Sequence, residues 1–280
     1  MKKTIFFLLS IQFAFAQTIQ IFNTQTATES NLERMVYAMA QADVIFFGEQ
    51  HDDSIAHVLQ KQVFELLHKT YGKNTALSME MFSRDNQPIM NEYLLGLISE
   101  KNFIRESNAW SNYNDYKPLV EYAKTHKLPI ICANAAGRYA NMATRGGIPA
   151  LLSLPKASKE NIAPLPFDTA SGAYYNKIME LMGGHGSGNH PSFSMIPGQS
   201  LWDATMAWSI ASFLKKNKGT KILHLNGRFH SDEKLGTVTQ LKKYAPKTRI
   251  MVISAFPLAP DENRNPEKFS HLGDFIIFTQ

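Results

Sequence analysis

Asp43-Val44-Ile45-Phe46-Phe47-Gly48-Glu49-Gln50-His51, with the stretch Asp52 to Tyr71 that follows it, decides the fold. Residues 43–47 form a short apolar run stopped by glycine, the pattern of a strand buried on both faces. Beyond it, Ile55, Leu59, Val63, Leu66 and Leu67 share one helical face, and Asp52-Asp53-Ser54 supplies the acidic, capping start such a helix needs. The same alternation extends along the chain. Ala76–Met81, Leu128–Ala133, Lys221–Leu225, Arg249–Ala255 and Phe275–Phe278 read as strands. Pro88–Leu97, Tyr116–His126 and about Gln199–Lys216 read as helices. This rhythm predicts an α/β fold with a mostly parallel central sheet and helices on both faces. Residues from about 137 to 197, rich in Gly and Pro, interrupt it with one helical piece around Tyr174–Met182 and the loop 183–191. They are expected to form a loop-rich, partly helical insertion over the carboxyl ends of the strands, placed as a lid.

Composition narrows the function. The chain has 280 residues, 44% hydrophobic and 19% charged, with 18 Phe and 10 Tyr, which excludes disorder. A single cysteine, Cys132, excludes a disulfide framework and a cysteine-rich metal cluster. The net charge of +5 is too dispersed to indicate nucleic acid. Met1-Lys2-Lys3, the apolar run Thr4–Phe15 and the small residues of Ala14-Phe15-Ala16 have the form of an export signal cleaved near Ala16. That run is too short to span a bilayer, and no lipid-accepting cysteine follows it. The expectation is therefore a signal peptide over 1–16 and one exported domain over 17–280, periplasmic or associated with the cell envelope.

Ligands of a parallel sheet gather beyond the carboxyl ends of its strands. Four predicted strands end in polar groups there: Glu49 and His51, Glu80, Asn134 with Arg138 just after it, and His230. Glu80, flanked by Met79, Met81 and Phe82, must be paired, hydrogen-bonded or neutral, and Arg138 or Arg84 would satisfy it. Each position alone has an ordinary structural explanation; their convergence points to a shared site. Glu49, His51, Glu80 and His230 offer oxygen and imidazole ligands to a divalent metal such as Mn or Zn, or let His51 act as a general base. No helical His-Glu-x-x-His and no nucleophile elbow accompanies them. Asp203, in the first turn of the helix predicted from Gln199, is either a helix-start acid or a partner for a site histidine. Trp110, Tyr113 and Tyr116 form an aromatic cluster of the kind that fills cores. Tyr174 and Tyr175 in the insertion are placed to face a ligand; His185 and His190 lie in its Gly-rich loop, where Gly186 and Gly188 would let the backbone approach one, though two loop histidines alone make no metal site.

Gly48-Glu49-Gln50-His51, Ser78-Met79-Glu80-Met81-Phe82 and Trp110-Ser111-Asn112-Tyr113-Asn114-Asp115-Tyr116-Lys117-Pro118-Leu119 occur in an order that resembles a known family. Leu128-Pro129-Ile130-Ile131-Cys132-Ala133-Asn134, Gln199-Ser200-Leu201-Trp202-Asp203-Ala204-Thr205-Met206-Ala207 and Gly227-Arg228-Phe229-His230 continue it. Together they resemble the ChaN family of haem-binding uptake proteins, within the wider Tiki/erythromycin-esterase-like superfamily. The resemblance implies haem as cofactor, a role in haem and iron uptake, and a homodimer that holds haem between its subunits. It further implies an outer-membrane haem-uptake receptor as partner, and a tyrosine axial ligand with a histidine assisting. Tyr113, Tyr174 and Tyr175 are the candidate tyrosines, His51, His230, His185 and His190 the pocket histidines, and Arg138, Arg145 or Lys177 the cations for the propionates. The superfamily also implies the alternative of a metal-dependent hydrolase, protease or esterase-like, using Glu49, His51, Glu80 and His230. Two departures stand out. The family's Asn-x-Pro-Arg turn is here Asn134-Ala135-Ala136-Gly137-Arg138, and the lipid-accepting cysteine of many members is absent.

Overall fold

A computed structural model describes residues 19–181, 191–258 and 265–279. Eight strands form one sheet: β1 (Gln20–Asn23), β2 (Thr28–Ser30), β3 (Val44–Glu49), β4 (Thr75–Ser83), β5 (Ile130–Asn134), β6 (Lys221–Gly227), β7 (Ile250–Phe256) and β8 (Phe275–Phe278). Their order is β2-β1-β8-β7-β3-β6-β4-β5. From β8 to β5 every pairing is parallel, and β1 and β2 add an antiparallel hairpin at one edge. The mostly parallel sheet expected from the alternation is present; the hairpin over residues 20–30 was not expected, because its strands are short and largely polar.

Ten helices accompany the sheet among the described residues: α1 (Leu32–Ala38), α2 (Ser54–Tyr71), α3 (Gln87–Leu94), α4 (Glu100–Glu106), α5 (Tyr113–His126), α6 (Gly137–Leu151), α7 (Lys156–Lys159), α8 (Gly172–Leu181), α9 (Pro191–Lys216) and α10 (Gly236–Tyr244). The capping start holds: the Asp53 carboxylate accepts from the Ile55 and Ala56 amides, and the hydroxyl of Thr279, just past β8, donates to it as well. None of the described helices is long and apolar enough to cross a membrane.

Side-chain alternation along the central strands sorts the core. Odd positions Ile45, Phe47, Leu77, Met79, Leu223 and Leu225 pack with α2 and α5. Even positions Val44, Phe46, Ala76 and Ile222 pack instead with α9 and α10. The carboxyl-terminal strand residues inherit this sorting. Glu49 therefore falls to the α2/α5 side, and Glu80 to the side of α9.

Two expectations need correction. The region 137–151 is helical, although Gly137, Gly146, Gly147 and Pro149 argue against a helix in sequence; Gly147 (φ 68°, ψ −179°) breaks the regular path within it. Helix α9 begins at Pro191 and not near Gln199, running through Pro197, whose missing N–H costs one rung near the helix start. Asp203 thus lies well inside α9, so it is no helix-start acid.

Candidate functional site

Two nests of hydrogen-bonded ionisable groups occupy the carboxyl rim of the sheet, one on each face. The first is built on Glu49, the last residue of β3. Its carboxylate has no exposure, whereas the His51 side chain two residues on keeps 40%. His51 Nδ1 lies 2.8 Å from Glu49 Oε1, and the Tyr116 hydroxyl donates to the same oxygen at 2.5 Å. The Gln60 amide donates to Oε2, and His57 Nδ1 stands 3.3 Å from that oxygen. Burial raises the Glu49 pKa, but hydrogen bonds from His51, His57 and Tyr116 more than offset it and hold the group below its ordinary value.

His57 is positively charged in this setting. Its Nδ1 faces Glu49 Oε2 and Gln60 Oε1, and its Nε2 faces the His51 carbonyl oxygen at 3.2 Å. Every neighbour accepts, so both ring nitrogens carry protons. Burial alone would lower its pKa; the bond and charge of Glu49 prevail and push it up to about 9. The Asn112 amide also donates to the His51 carbonyl, at 3.0 Å, fixing the backbone that carries the imidazole.

The second nest holds His230 between carboxylates. Nδ1 lies 2.8 Å from Asp203 Oδ1 on α9, and Nε2 lies 3.6 Å from Glu80 Oε1. The Thr237 hydroxyl donates to Asp203 Oδ1 at 2.8 Å and the Tyr174 hydroxyl to Oδ2 at 2.7 Å. Burial works against the charge on His230, but Glu80 and Asp203 outweigh it and push its pKa up to about 9. The second sequence reading of Asp203, a partner for a site histidine, is the one the structure bears out.

Gly227 joins the nests. Its amide donates to Glu80 Oε2 at 2.7 Å, and a Cβ placed on it would stand 2.8 Å from His51 Nε2. Only glycine fits there without colliding with the His51 ring. Burial opposes protonation of His51, while the hydrogen bond it donates to Glu49 and the charges of Glu80 and Glu49 raise its pKa above the ordinary value. Beside this junction a cavity of about 230 Å³ opens between Glu80, Ser107, Asn134, Trp110 and Trp202. The Trp110 ring meets His51 edge-on at 5.0 Å.

The structure thus brings Glu49, His51, Glu80 and His230 to one rim in two nests, Glu49 hydrogen-bonded to His51 and Glu80 within ion-pair distance of His230. Among the described residues no group of three or more His, Cys, Asp or Glu side chains is arranged to hold a metal ion, so the Mn or Zn alternative gains no geometric support. Glu80 does not pair with Arg138 or Arg84. Arg138 pairs with Asp85 and stacks on Tyr139 at 4.4 Å, and Lys177 pairs with Glu233 at 3.0 Å. Tyr113 is buried in the core against Phe82 and Phe103. Tyr174 is buried and committed to Asp203; burial, then the Asp203 charge, hold its phenol well above the ordinary pKa. Tyr175 is half-buried on α8. His185 and His190 lie outside the described residues.

His57, Gln60, Asn112, Tyr116 and Thr237 escaped the sequence reading. One signal was available: Ala56, Gln60, Val63 and Leu67 form a buried line on α2, and Gln60 is the polar interruption in it. Tyr116 belongs to the aromatic cluster expected in the core, and its ring is buried; its hydroxyl nonetheless donates to Glu49.

The matched stretch, residues 35–241, contains both nests and places the chain in the Tiki superfamily of α/β proteins. Within that superfamily the matching family is haem-binding uptake, ChaN, and the protein belongs to it. Its fold is similar to the solved structure of ChaN of Campylobacter jejuni, described as showing cofacial heme binding. The TM-score is 0.72 at 17% identity, over 94% of this chain and 97% of that one. It is also similar to the type III effector HopBA1, with a TM-score of 0.53 at 11% identity, over 88% and 91% of the two chains. No curated protein matches the sequence.

Proposed function

We propose that this is an exported haem carrier of the cell envelope, its first 16 residues an export signal, which takes up haem at the carboxyl rim and shares it between two copies of the chain. The observation that carries the reading is the family match across both nests. The rim fits the ligand. His51 is half-exposed, its Nδ1 is held by a buried carboxylate, and its Nε2 is left room by Gly227, an arrangement that orients an imidazole toward iron. The indoles of Trp110 and Trp202 offer flat apolar surface beside it. Haem supplies the iron when bound; the chain supplies ligands and walls.

Size supports sharing. The rim cavity of about 230 Å³ is smaller than the roughly 300–1,000 Å³ of pockets that enclose drug-sized ligands. A porphyrin at this rim would leave a face for a second copy to cover. Of the three candidate tyrosines, Tyr113 and Tyr174 are buried whereas Tyr175 is half-buried, and that partial exposure favours Tyr175 as axial ligand. An outer-membrane receptor is the partner expected to deliver or accept the haem, and Arg138 and Arg145, both exposed, are the candidate cations for its propionates.

Titration of the apoprotein with haemin is expected to give a saturable Soret shift that His51→Ala and Tyr175→Phe each weaken about tenfold or more, the cost of losing one strong ligand interaction. Gly227→Ala, compatible with the backbone angles there, is expected to act the same way by displacing the imidazole. A spectrum untouched by all three variants would remove the rim as the haem site.

The Glu49–His51 bond also favours a second reading. An imidazole oriented by a carboxylate, with its other nitrogen open, is equipped to be a general base on water. Chelator-treated, haem-free protein would then hydrolyse p-nitrophenyl acetate, and His51→Ala would abolish the turnover; equal rates in both proteins would dismiss hydrolysis.

A further inference from the structure

Away from the nests, two adjoining cavities of about 280 and 590 Å³ flank the carboxyl-terminal half of α9. Arg84, Ser212 and Lys216 line both, and so form the saddle between them. The larger cavity is walled by Trp208, Leu214 and Tyr244, the two rings meeting edge-on at 5.4 Å.

The charge at this saddle has no counterpart. Arg84 is half-buried, and its Nε and Nη1 donate to neutral acceptors, the Glu160 carbonyl at 3.0 Å and Ser209 Oγ at 3.1 Å. Arg105, Arg138, Arg228 and Arg249 each hold a carboxylate. Arg84 holds none among the described residues, and burial alone depresses its pKa. Lys216 likewise has no ion pair among the described residues. Ser212 Oγ is shielded from solvent and finds no hydrogen-bond partner among the described residues. A partly desolvated guanidinium without an anion, beside an unsatisfied hydroxyl, is costly unless something fills the place.

We propose that this saddle is a second binding site, for an amphipathic organic acid whose anionic head is taken by Arg84, Lys216 and Ser212. Its apolar body lies along Trp208, Leu214 and Tyr244. The guanidinium fork suits a carboxylate or a phosphate, and the aromatic wall suits an alkyl chain or a ring. The site shares no residue with either nest.

Isothermal titration of the full haem-free chain with dodecanoate, dodecyl phosphate and dodecanol tests this. Dodecanoate or dodecyl phosphate is expected to saturate at one per chain, the tighter of the two identifying the head group. Dodecanol should bind about tenfold more weakly or worse, for want of the charge-assisted bonds. Lys216→Glu, at an exposed position with no structural partner, is expected to weaken the acids about tenfold or more and leave haemin binding unchanged; Arg84→Gln should do the same. Dodecanol binding as tightly as the acids, acids indifferent to both substitutions, or no saturation would overturn the proposal. So would loss of haemin binding in Lys216→Glu, which would make the saddle part of the haem site.

Discussion

Glu49→Gln is expected to lower the stability of the haem-free protein by about 3–5 kcal/mol, the cost of leaving a buried charge without its partner. The carboxylate is fully buried and every contact to it comes from a donor: His51, His57, Gln60 and Tyr116. The neutral amide keeps the volume but strands the His57 imidazolium, which is only 4% exposed. Its new NH₂ group also opposes donors where an acceptor is needed. Urea unfolding of the single variants and of Glu49→Gln/His57→Phe measures the coupling. Because phenylalanine removes the stranded charge and keeps a ring against Tyr116, the double variant should lose less than the two single losses combined. A loss for Glu49→Gln below about 1 kcal/mol, the range of an exposed ion pair, would show that Glu49 and His57 are not an ionised pair.

The framework was legible because a parallel sheet covered on both sides needs uninterrupted apolar strands, and few other structures make residues 44–47 or 275–278 so uniformly hydrophobic. The rim was legible for the same reason: a polar residue that ends such a strand has only the carboxyl edge to occupy. The partners were not. Glu49 and Glu80 end neighbouring runs in sequence terms, but their odd and even positions send them to opposite faces, which becomes visible only when both strands are in register with β6. Asp203 finds His230 through the packing of α9 on the sheet, a contact no local pattern encodes. Helix α6 defied its glycines because tertiary contacts with α9 outweigh propensity. Arg84, one of the two cations the sequence offers Glu80, donates to the Glu160 carbonyl and Ser209 instead.

Stability of the haem-free chain is expected to pass through a maximum near pH 6.5 and fall on both sides, because the buried histidines divide into two kinds. His57 and His230 are each pushed up to about 9, against an ordinary 6.5. A folded-state pKa above the unfolded one means that the contribution is complete below pH 6.5 and is lost as pH rises through 9. For one isolated site the loss is on the order of 3 kcal/mol. His224 is the opposite case. It is buried beside Phe46 and Ser78 with Nε2 unpartnered, and burial, then the charge of His230, push its pKa down to about 3. Its contribution is complete above pH 6.5 and shrinks as pH falls from there toward 3, since only the unfolded chain takes up the proton. Glu49, held below its ordinary 4.5, adds to the acid side: its share is present above that value and disappears as pH falls through the depressed one. Urea midpoints from pH 4 to pH 9.5 at constant ionic strength report the curve. His57→Gln should flatten its alkaline limb and leave the acid limb in place. A midpoint that holds steady or rises between pH 6.5 and pH 9 would mean that neither His57 nor His230 carries a proton in the fold. The two nests would then be neutral hydrogen-bond networks, with no buried charge for Glu49 or Asp203 to balance.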